Sequence, residues 1–323
     1  MLHQAGFRSA HAALNRMRSA FEAGDVVALL RVYRAAPETS VVLRVASSLL
    51  ESFYPFDAFL ELAVLLDRCI GRDGLCDGSR HFLREVDIDW RPLLPRSCGA
   101  ILSDHPVLFF GNHPSPLTPF LVAASLERSE LRWFTTSYIC RLVPSLGDVS
   151  FPMEVPRTHT AWRQGGGRRA DAHRLASLMH AVPSRDELRA INRSSLDVGA
   201  SHVRRGGSAI IHPAGGGTQE RHWYPGLGAP VKRLQDAPSE RPAYLIPIRE
   251  ENCSNRRVYA RLMTGPIARF QRIFLYTGPV RIAFGEPIPV RDVATPTSTA
   301  EQVGAWLRAR YEVIFAKPES AAT

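Results

Sequence analysis

Apolar residues recur at three- and four-residue spacings from Ala10 to Leu30 and again from Val41 to Ile70. That is the period of helices that bury one face. Gly24, Pro37 and Gly71 punctuate the runs, and such residues mark the expected helix ends. The first 95 or so residues are therefore expected to be mostly helical. Leu49, Phe53, Phe56, Phe59, Leu60 and Val64 share one apolar face. It suits core packing or, as the alternative, a surface that meets a membrane or an acyl chain.

From about residue 98 the texture changes. Short β-rich runs occur at Val107 to Gly111, Arg132 to Thr136, Val149 to Pro152, Ser208 to His212, Ala243 to Ile248, Arg257 to Thr264 and Val280 to Gly285. Helix-length intervals separate many of them, beginning with Pro119 to Arg128, and Thr299 to Ala316 reads as a closing amphipathic helix. This alternation predicts an α/β fold with a mostly parallel central sheet flanked by helices. The expected division is a helical N-terminal region, 1–95, and an α/β domain, 96–323. The polar, arginine-rich stretch Gly165 to Arg205 reads as a partly helical insertion over the core.

Composition narrows the picture. With 45% hydrophobic and 22% charged residues, the chain has the make-up of a soluble globular protein. Its apolar stretch Phe59 to Leu66 is broken by Glu61 and ended by Asp67, short of the roughly 20 residues a spanning helix needs. Met1 to Ala10 carries His3, Gln4 and Arg8 and no apolar run, so no secretory signal is expected there. The expected location is the cytoplasm, with peripheral contact at the inner membrane face as an extension. Five cysteines without a C-x-x-C pair read as free thiols rather than a disulfide framework or a zinc knuckle. The net charge of +9 is almost all arginine, since Lys232 and Lys317 are the only lysines. Codon composition accounts for it in one reading. In the other it attracts anions such as coenzyme A phosphates, an acidic acyl carrier protein or lipid head groups. No nucleic-acid-binding signature accompanies the charge, so nucleic acid is not an expected partner.

The chemistry gathers at two loops. Val107-Leu-Phe-Phe-Gly-Asn-His113-Pro-Ser115-Pro-Leu-Thr118-Pro119 reads as a buried strand, an abrupt turn and a helix start. Thr118 is the expected hydroxyl cap and Pro119 the first helical residue. His113 thus falls between the carboxyl end of a strand and the amino end of a helix, where open α/β sheets bind ligands. The helix terminus would favour a neutral ring there, as a general base requires. A structural histidine held by loop carbonyls is the alternative. The second loop, Ile211-His212-Pro-Ala214-Gly215-Gly216-Gly217-Thr218, follows another strand. Its glycines expose amides that can cradle phosphate or an oxyanion. It lacks the Gly-Lys-Ser/Thr ending of a nucleotide P-loop. His212 and His222 are ten residues apart with no further ligand at zinc spacing, so no metal is expected.

Taken in order, these segments resemble the glycerol-3-phosphate and lysophosphatidic acid acyltransferase superfamily. Asn112-His113 matches the opening of its first block, and Phe151-Pro-Met-Glu-Val-Pro-Arg157 resembles the second, which ends in arginine. The run from Ile211 to Gly215, with Thr218 displaced, resembles the third, and Tyr244-Leu-Ile-Pro247-Ile248 the fourth. Ile282-Ala-Phe-Gly285-Glu286-Pro287-Ile288 resembles a late strand followed by Gly-Glu-Pro-Ile. The likeness covers about residues 98–290. It implies acyl transfer from acyl-CoA or an acyl-phosphopantetheine carrier, used as co-substrate, with no resident cofactor. His113 would be the base, Asn112 and Thr118 would position the ring and loop, and Arg157 would hold an anionic part of a substrate. Ser115, His212, Gly215, Gly216, Gly217 and Thr218 complete the expected substrate-binding set.

Two departures bear on mechanism. Where the family's first block has aspartate this chain has Thr118, and where the third has glutamate it has Ala214. The aspartate there holds the imidazole and offsets its positive charge; in serine proteases, neutralising the analogous carboxylate lowers turnover about ten-thousandfold. A carboxylate from elsewhere is one remedy: Glu154 is the first candidate, with Glu220 and Glu250 behind it. Asp104, nine residues before His113, is a poor one, being roughly 30 Å away along an extended strand. A more nucleophilic acceptor such as an amine is the second remedy. Loss of catalysis with retention of acyl-lipid or carrier-protein binding is the third. A thioesterase lies between enzyme and binding module, and Ser115 as a nucleophile paired with His113 is a further arrangement, though its flanking prolines leave no nucleophile elbow. Ala214 points to a non-standard acceptor, in specialised rather than core lipid metabolism. Arg163, Arg168, Arg169 and Arg174 form an arginine cluster suited to phosphate or to a solvated loop.

Overall fold

The unbroken apolar run Val107-Leu-Phe-Phe-Gly111 has the pattern of a strand covered on both faces. It is such a strand: β2 (Val107–Gly111) is buried at all five positions. The computed structural model describes residues 2–53, 55–154, 183–214, 223, 225–237, 241–251, 279–295 and 297–316. Its other strands are β1 (Trp90–Leu93), β3 (Leu131–Thr136), β4 (Ser150–Met153), β5 (Ser208–Ile211), β6 (Tyr244–Glu251), β7 (Val280–Phe284) and β8 (Ile288–Pro289). They form an eight-stranded sheet in the order β1-β7-β6-β2-β5-β3-β4, with β8 also paired to β6. The pairs β6–β2, β2–β5, β5–β3 and β1–β7 are parallel. β6 meets β7 and β8 antiparallel. The chain is thus α/β with a mixed, mostly parallel sheet flanked by helices, and its N-terminal region is helical.

The strands at the centre carry the largest buried side chains. Leu108, Phe109 and Phe110 of β2, Ala209 and Ile210 of β5, and Leu245, Ile246 and Ile248 of β6 are almost wholly buried. The register β2–β6 pairs Val107 with Tyr244 and Gly111 with Ile248. At that last pair the strands come so close that a Cβ on Gly111 would lie 1.8 Å from the Ile248 carbonyl oxygen. Only glycine fits, and it fixes where the chain leaves the sheet.

Four helices precede β1: Leu2–Glu22, Val26–Thr39, Val41–Phe53 and Phe56–Glu85. Gly24 adopts φ +69° between the first two, and the Asp25 side chain caps the second by accepting from the Ala28 amide at 2.8 Å. Two expected helix ends fall elsewhere. Pro37 lies inside the second helix, which continues to Thr39 before Ser40 turns extended. Gly71 lies within Phe56–Glu85, whose one non-helical residue is Gly74, at φ +75°. The space at Gly71 explains its small side chain, because a Cβ there would meet Ser145 Oγ at 2.7 Å.

The apolar face read across this region does not act as one surface. Phe56 and Leu60 are buried, whereas Leu49 is exposed beside Val41, Val42 and Val45; the Phe53 side chain lies outside the described residues. No described helix is long and apolar enough to cross a membrane.

Further along, the helix Arg185–Arg204 lies within the stretch read as an insertion. The strand expected at 257–264 lies outside the described residues. The closing helix runs Ala300–Ile314 and opens on a full capping box between Thr299 and Gln302. The chain divides into two units: Met1–Gly71 with Thr135–Asp148 and Pro152–Asn192, and Arg72–Phe134 with Val149–Phe151 and Arg193–Thr323. The second unit contains β2, β5 and β6 and the loops that follow them.

Candidate active site

Three adjacent parallel strands, β5, β2 and β6, end on the same edge of the sheet. Each delivers a reactive side chain at or just past its last residues: His212 after β5, His113 after β2, and Glu250 near the end of β6. The carboxyl edge of parallel strands is where α/β folds bind ligands.

The two imidazoles stack, with centroids 4.6 Å apart and planes inclined by 22°. Trp133 of β3 meets His113 edge-on at 6.3 Å and Phe120 at 5.6 Å. His113 is half-buried, and its Nδ1 atom is buried. That burial leaves Nε2 as the ring nitrogen available for proton exchange with a ligand.

His212 Nδ1 lies 3.3 Å from the Gly111 carbonyl oxygen. A carbonyl only accepts, so Nδ1 carries the proton and Nε2 keeps its lone pair. Among the described residues that buried Nε2 has no hydrogen-bond partner. Burial pushes the His212 pKa down to about 4, against a smaller upward pull from the Gly111 and Asn112 backbone. His212 is thus a neutral ring at neutral pH.

Asn112 and Thr118 bind the loop to β6. The Asn112 side-chain oxygen accepts the Glu250 backbone N–H at 3.0 Å, carrying the strand contact past the ladder's last pair. The Ser115 hydroxyl donates to Glu250 Oε2 at 3.2 Å. The Thr118 hydroxyl also donates to Glu250 Oε2, sharing its proton with the Ser115 carbonyl 2.8 Å away. Ser115 Oγ in turn accepts from the Leu117 amide at 3.2 Å. All four residues are buried, Glu250 at 5% exposure.

Thr118 is therefore not the expected hydroxyl cap. The helix Thr118–Ala124 has Leu117 at its cap position with no side-chain cap bond. Thr118 is instead the first residue of the helix, and its hydroxyl donates to the buried carboxyl group of Glu250.

The structure brings His113, Asn112, Ser115, Thr118 and His212 together. Arg157, Gly215, Gly216, Gly217 and Thr218 lie outside the described residues, as do Arg163, Arg168, Arg169, Arg174 and Glu220. Among the carboxylates considered, Glu154 accepts from the Ser137 hydroxyl, and its backbone pairs both ways with Asn192 at 2.6 and 2.7 Å. Glu250, placed behind it on sequence grounds, is the carboxylate bonded to the His113 loop. Trp133 was not anticipated. Its alternation within Leu131-Arg-Trp-Phe marks an inward position, but nothing local ties it to His113. No protein-family model matches the chain, and no curated protein matches it.

Proposed function

We propose that this protein is an acyltransferase, a divergent member of the glycerol-3-phosphate and lysophosphatidic acid acyltransferase superfamily. It moves an acyl group from a thioester, on coenzyme A or an acyl carrier protein, to a hydroxyl or amine acceptor. The observation that carries this reading is the convergence of separate blocks: Asn112-His113 follows β2, His212 follows β5, and Pro247 to Glu250 lie on β6, three neighbouring strands with a common carboxyl edge. Asn112 and Glu250, 138 residues apart in sequence, are joined by a hydrogen bond.

In this mechanism His113 Nε2 takes the proton of the acceptor hydroxyl or amine as its oxygen or nitrogen bonds to the thioester carbonyl carbon. The tetrahedral intermediate then collapses, the carbon–sulfur bond breaks, and the thiolate takes the proton back from the imidazolium. An ester or amide and a free thiol leave. The replacement of the third block's glutamate by Ala214 supports an acceptor other than glycerol 3-phosphate.

The test is thioester consumption with a panel of acyl-CoA and acyl-carrier-protein donors, read by thiol release and product mass. Wild type is expected to consume at least one donor, and His113→Ala to lose at least about a hundredfold of that rate. A new acylated mass identifies the acceptor. Thiol release with free acid as the sole acyl product would replace the transferase by a thioesterase. Donor binding without turnover in wild type would replace both by a binding module.

A further inference from the structure

We infer that Glu250 is the positioning carboxylate of this site: acting from β6 through Ser115 and Thr118, it orients the His113 loop and offsets the positive charge that forms on the imidazole. The inference rests on the acyl-transfer reading and deepens it.

Position comes first. β2 and β6 are parallel, and Gly111 is paired with Ile248. Two residues further along each chain stand His113 and Glu250. Registered residues of parallel strands send their side chains to the same face. The chain of β2 leaves the ladder at Asn112, but the bond from the Glu250 N–H to the Asn112 side chain holds the two exits together. The tight fit at Gly111 leaves this register no slack.

Chemistry comes second. A carboxylate at 5% exposure is costly to bury unless donors surround it. Two hydroxyls reach its Oε2, one in the loop that carries His113 and one opening the helix after it. A leucine or methionine would fill that space without such donors. A carboxylate there is matched to a site where a cation appears, and in a general-base mechanism that cation is the imidazolium. Residue 118 still occupies the place of the motif aspartate, but it is the hydroxyl through which the charge acts rather than the charge itself. The negative group has moved across the strand pair.

Among the described residues, the two rings packed against His113 carry no negative charge. His212, stacked on the ring, is neutral, with its pKa pushed down to about 4. Trp133 presents an aromatic edge.

The experiment exchanges the charge between the two strands. With a thioester that wild type turns over, Glu250→Gln is expected to lower kcat about a hundredfold while KM moves by less than about threefold. The effect is smaller than the about 10⁴-fold of a carboxylate bonded directly to histidine, because Glu250 works through hydroxyls. Adding Thr118→Asp to Glu250→Gln returns the charge from the other strand and is expected to recover at least about tenfold. A folded Glu250→Gln with wild-type kcat, or a double variant no better than the single one, overturns the inference. A melting curve and a circular dichroism spectrum show whether each variant is folded.

A second readout does not depend on turnover. In histidine-labelled protein, the His113 ring resonance, assigned by its loss in His113→Ala, is expected to titrate at lower pH in Glu250→Gln than in wild type. An unmoved midpoint overturns the inference. If wild type consumes no thioester, the acyl-transfer reading fails separately, and this titration still decides whether Glu250 acts on His113.

Discussion

Glu154 and Glu250 each stand at the carboxyl end of a strand, and the structure uses them differently. Glu154, just past β4, is half-buried; its side chain accepts from Ser137 and its backbone is bracketed by Asn192. Those bonds tie a strand exit to two helices, Ser137–Leu142 and Arg185–Arg204. Glu250 is almost wholly buried, and its side-chain partners are Ser115, in the loop that carries His113, and Thr118, which opens the helix after it. A carboxylate's neighbours in sequence say little about its task. Its strand's register says more. Glu154 borders the second block of the resemblance, which makes it the first candidate on sequence grounds; Glu250 lies two residues past Ile248, the last partner of β2 in the parallel ladder, as His113 lies two past Gly111.

The largest test of this contrast acts on the register itself. Gly111→Ala puts a methyl group 1.8 Å from the Ile248 carbonyl oxygen. Backbone cannot yield as a side-chain end does, so the pair must separate or slide. The expected cost is about 3 kcal/mol or more, the upper range of overpacking. Chemical denaturation measures it. Thioester consumption should fall with it even in the folded fraction, because Glu250 and Asn112 lose their alignment. A stable, fully active Gly111→Ala protein would break the claim that strand register sets the site.

The sequence made β2 legible to the residue, because an apolar run bounded by Pro106 and the Gly111-Asn112 turn signal has few alternatives. β6 was legible only in part. Its reading stopped at Ile248, since Arg249, Glu250 and Glu251 look like the start of a loop, yet the strand runs to Glu251. With the strand's end missed, Glu250 ranks behind Glu154 among the candidate carboxylates. β1 was not legible at all: Trp90-Arg-Pro-Leu93 is half-buried at its first position and exposed at the other three, so no alternation marks it. Pro92 also argues against a central strand, and β1 is in fact the edge of the sheet. Of the site, the position of His113 is legible from the strand-turn-helix pattern, whereas Asn112 and Ser115 enter through the resemblance. The His113–His212 stack is not legible, because it depends on the pairing of β2 with β5.

A second test compares the acid-bearing end of β6 with the imidazole-bearing end of β5. An unfolded His212 takes up a proton near pH 6.5, but in the fold it resists protonation down to about pH 4. Between those values the unfolded chain binds more protons, so stability is full above about 6.5 and falls as pH drops toward 4. The expected loss is on the order of 2–3 kcal/mol. Burial also lowers the His202 pKa, which adds a fall of the same sign. His212→Asn should flatten the part of the curve due to the site. Denaturant midpoints at pH 7 and pH 5, for wild type and variant, measure the difference. Equal slopes in the two proteins would show that His212 is not held neutral.

The smallest expected effect closes the comparison from the other side. Glu154→Gln keeps an oxygen to accept from Ser137 and leaves both backbone bonds to Asn192 intact. What it removes is charge alone. A half-exposed hydrogen bond of this kind is worth about 1 kcal/mol or less, so the melting temperature should move by only a few degrees at most. Thioester consumption should stay within about twofold of wild type, against the hundredfold loss expected for Glu250→Gln. The two variants make the same chemical change at the ends of two strands in one sheet. If Glu154→Gln instead abolished turnover at unchanged stability while Glu250→Gln did not, the carboxylate serving His113 would be the one beside the second motif block, and register would be the wrong guide.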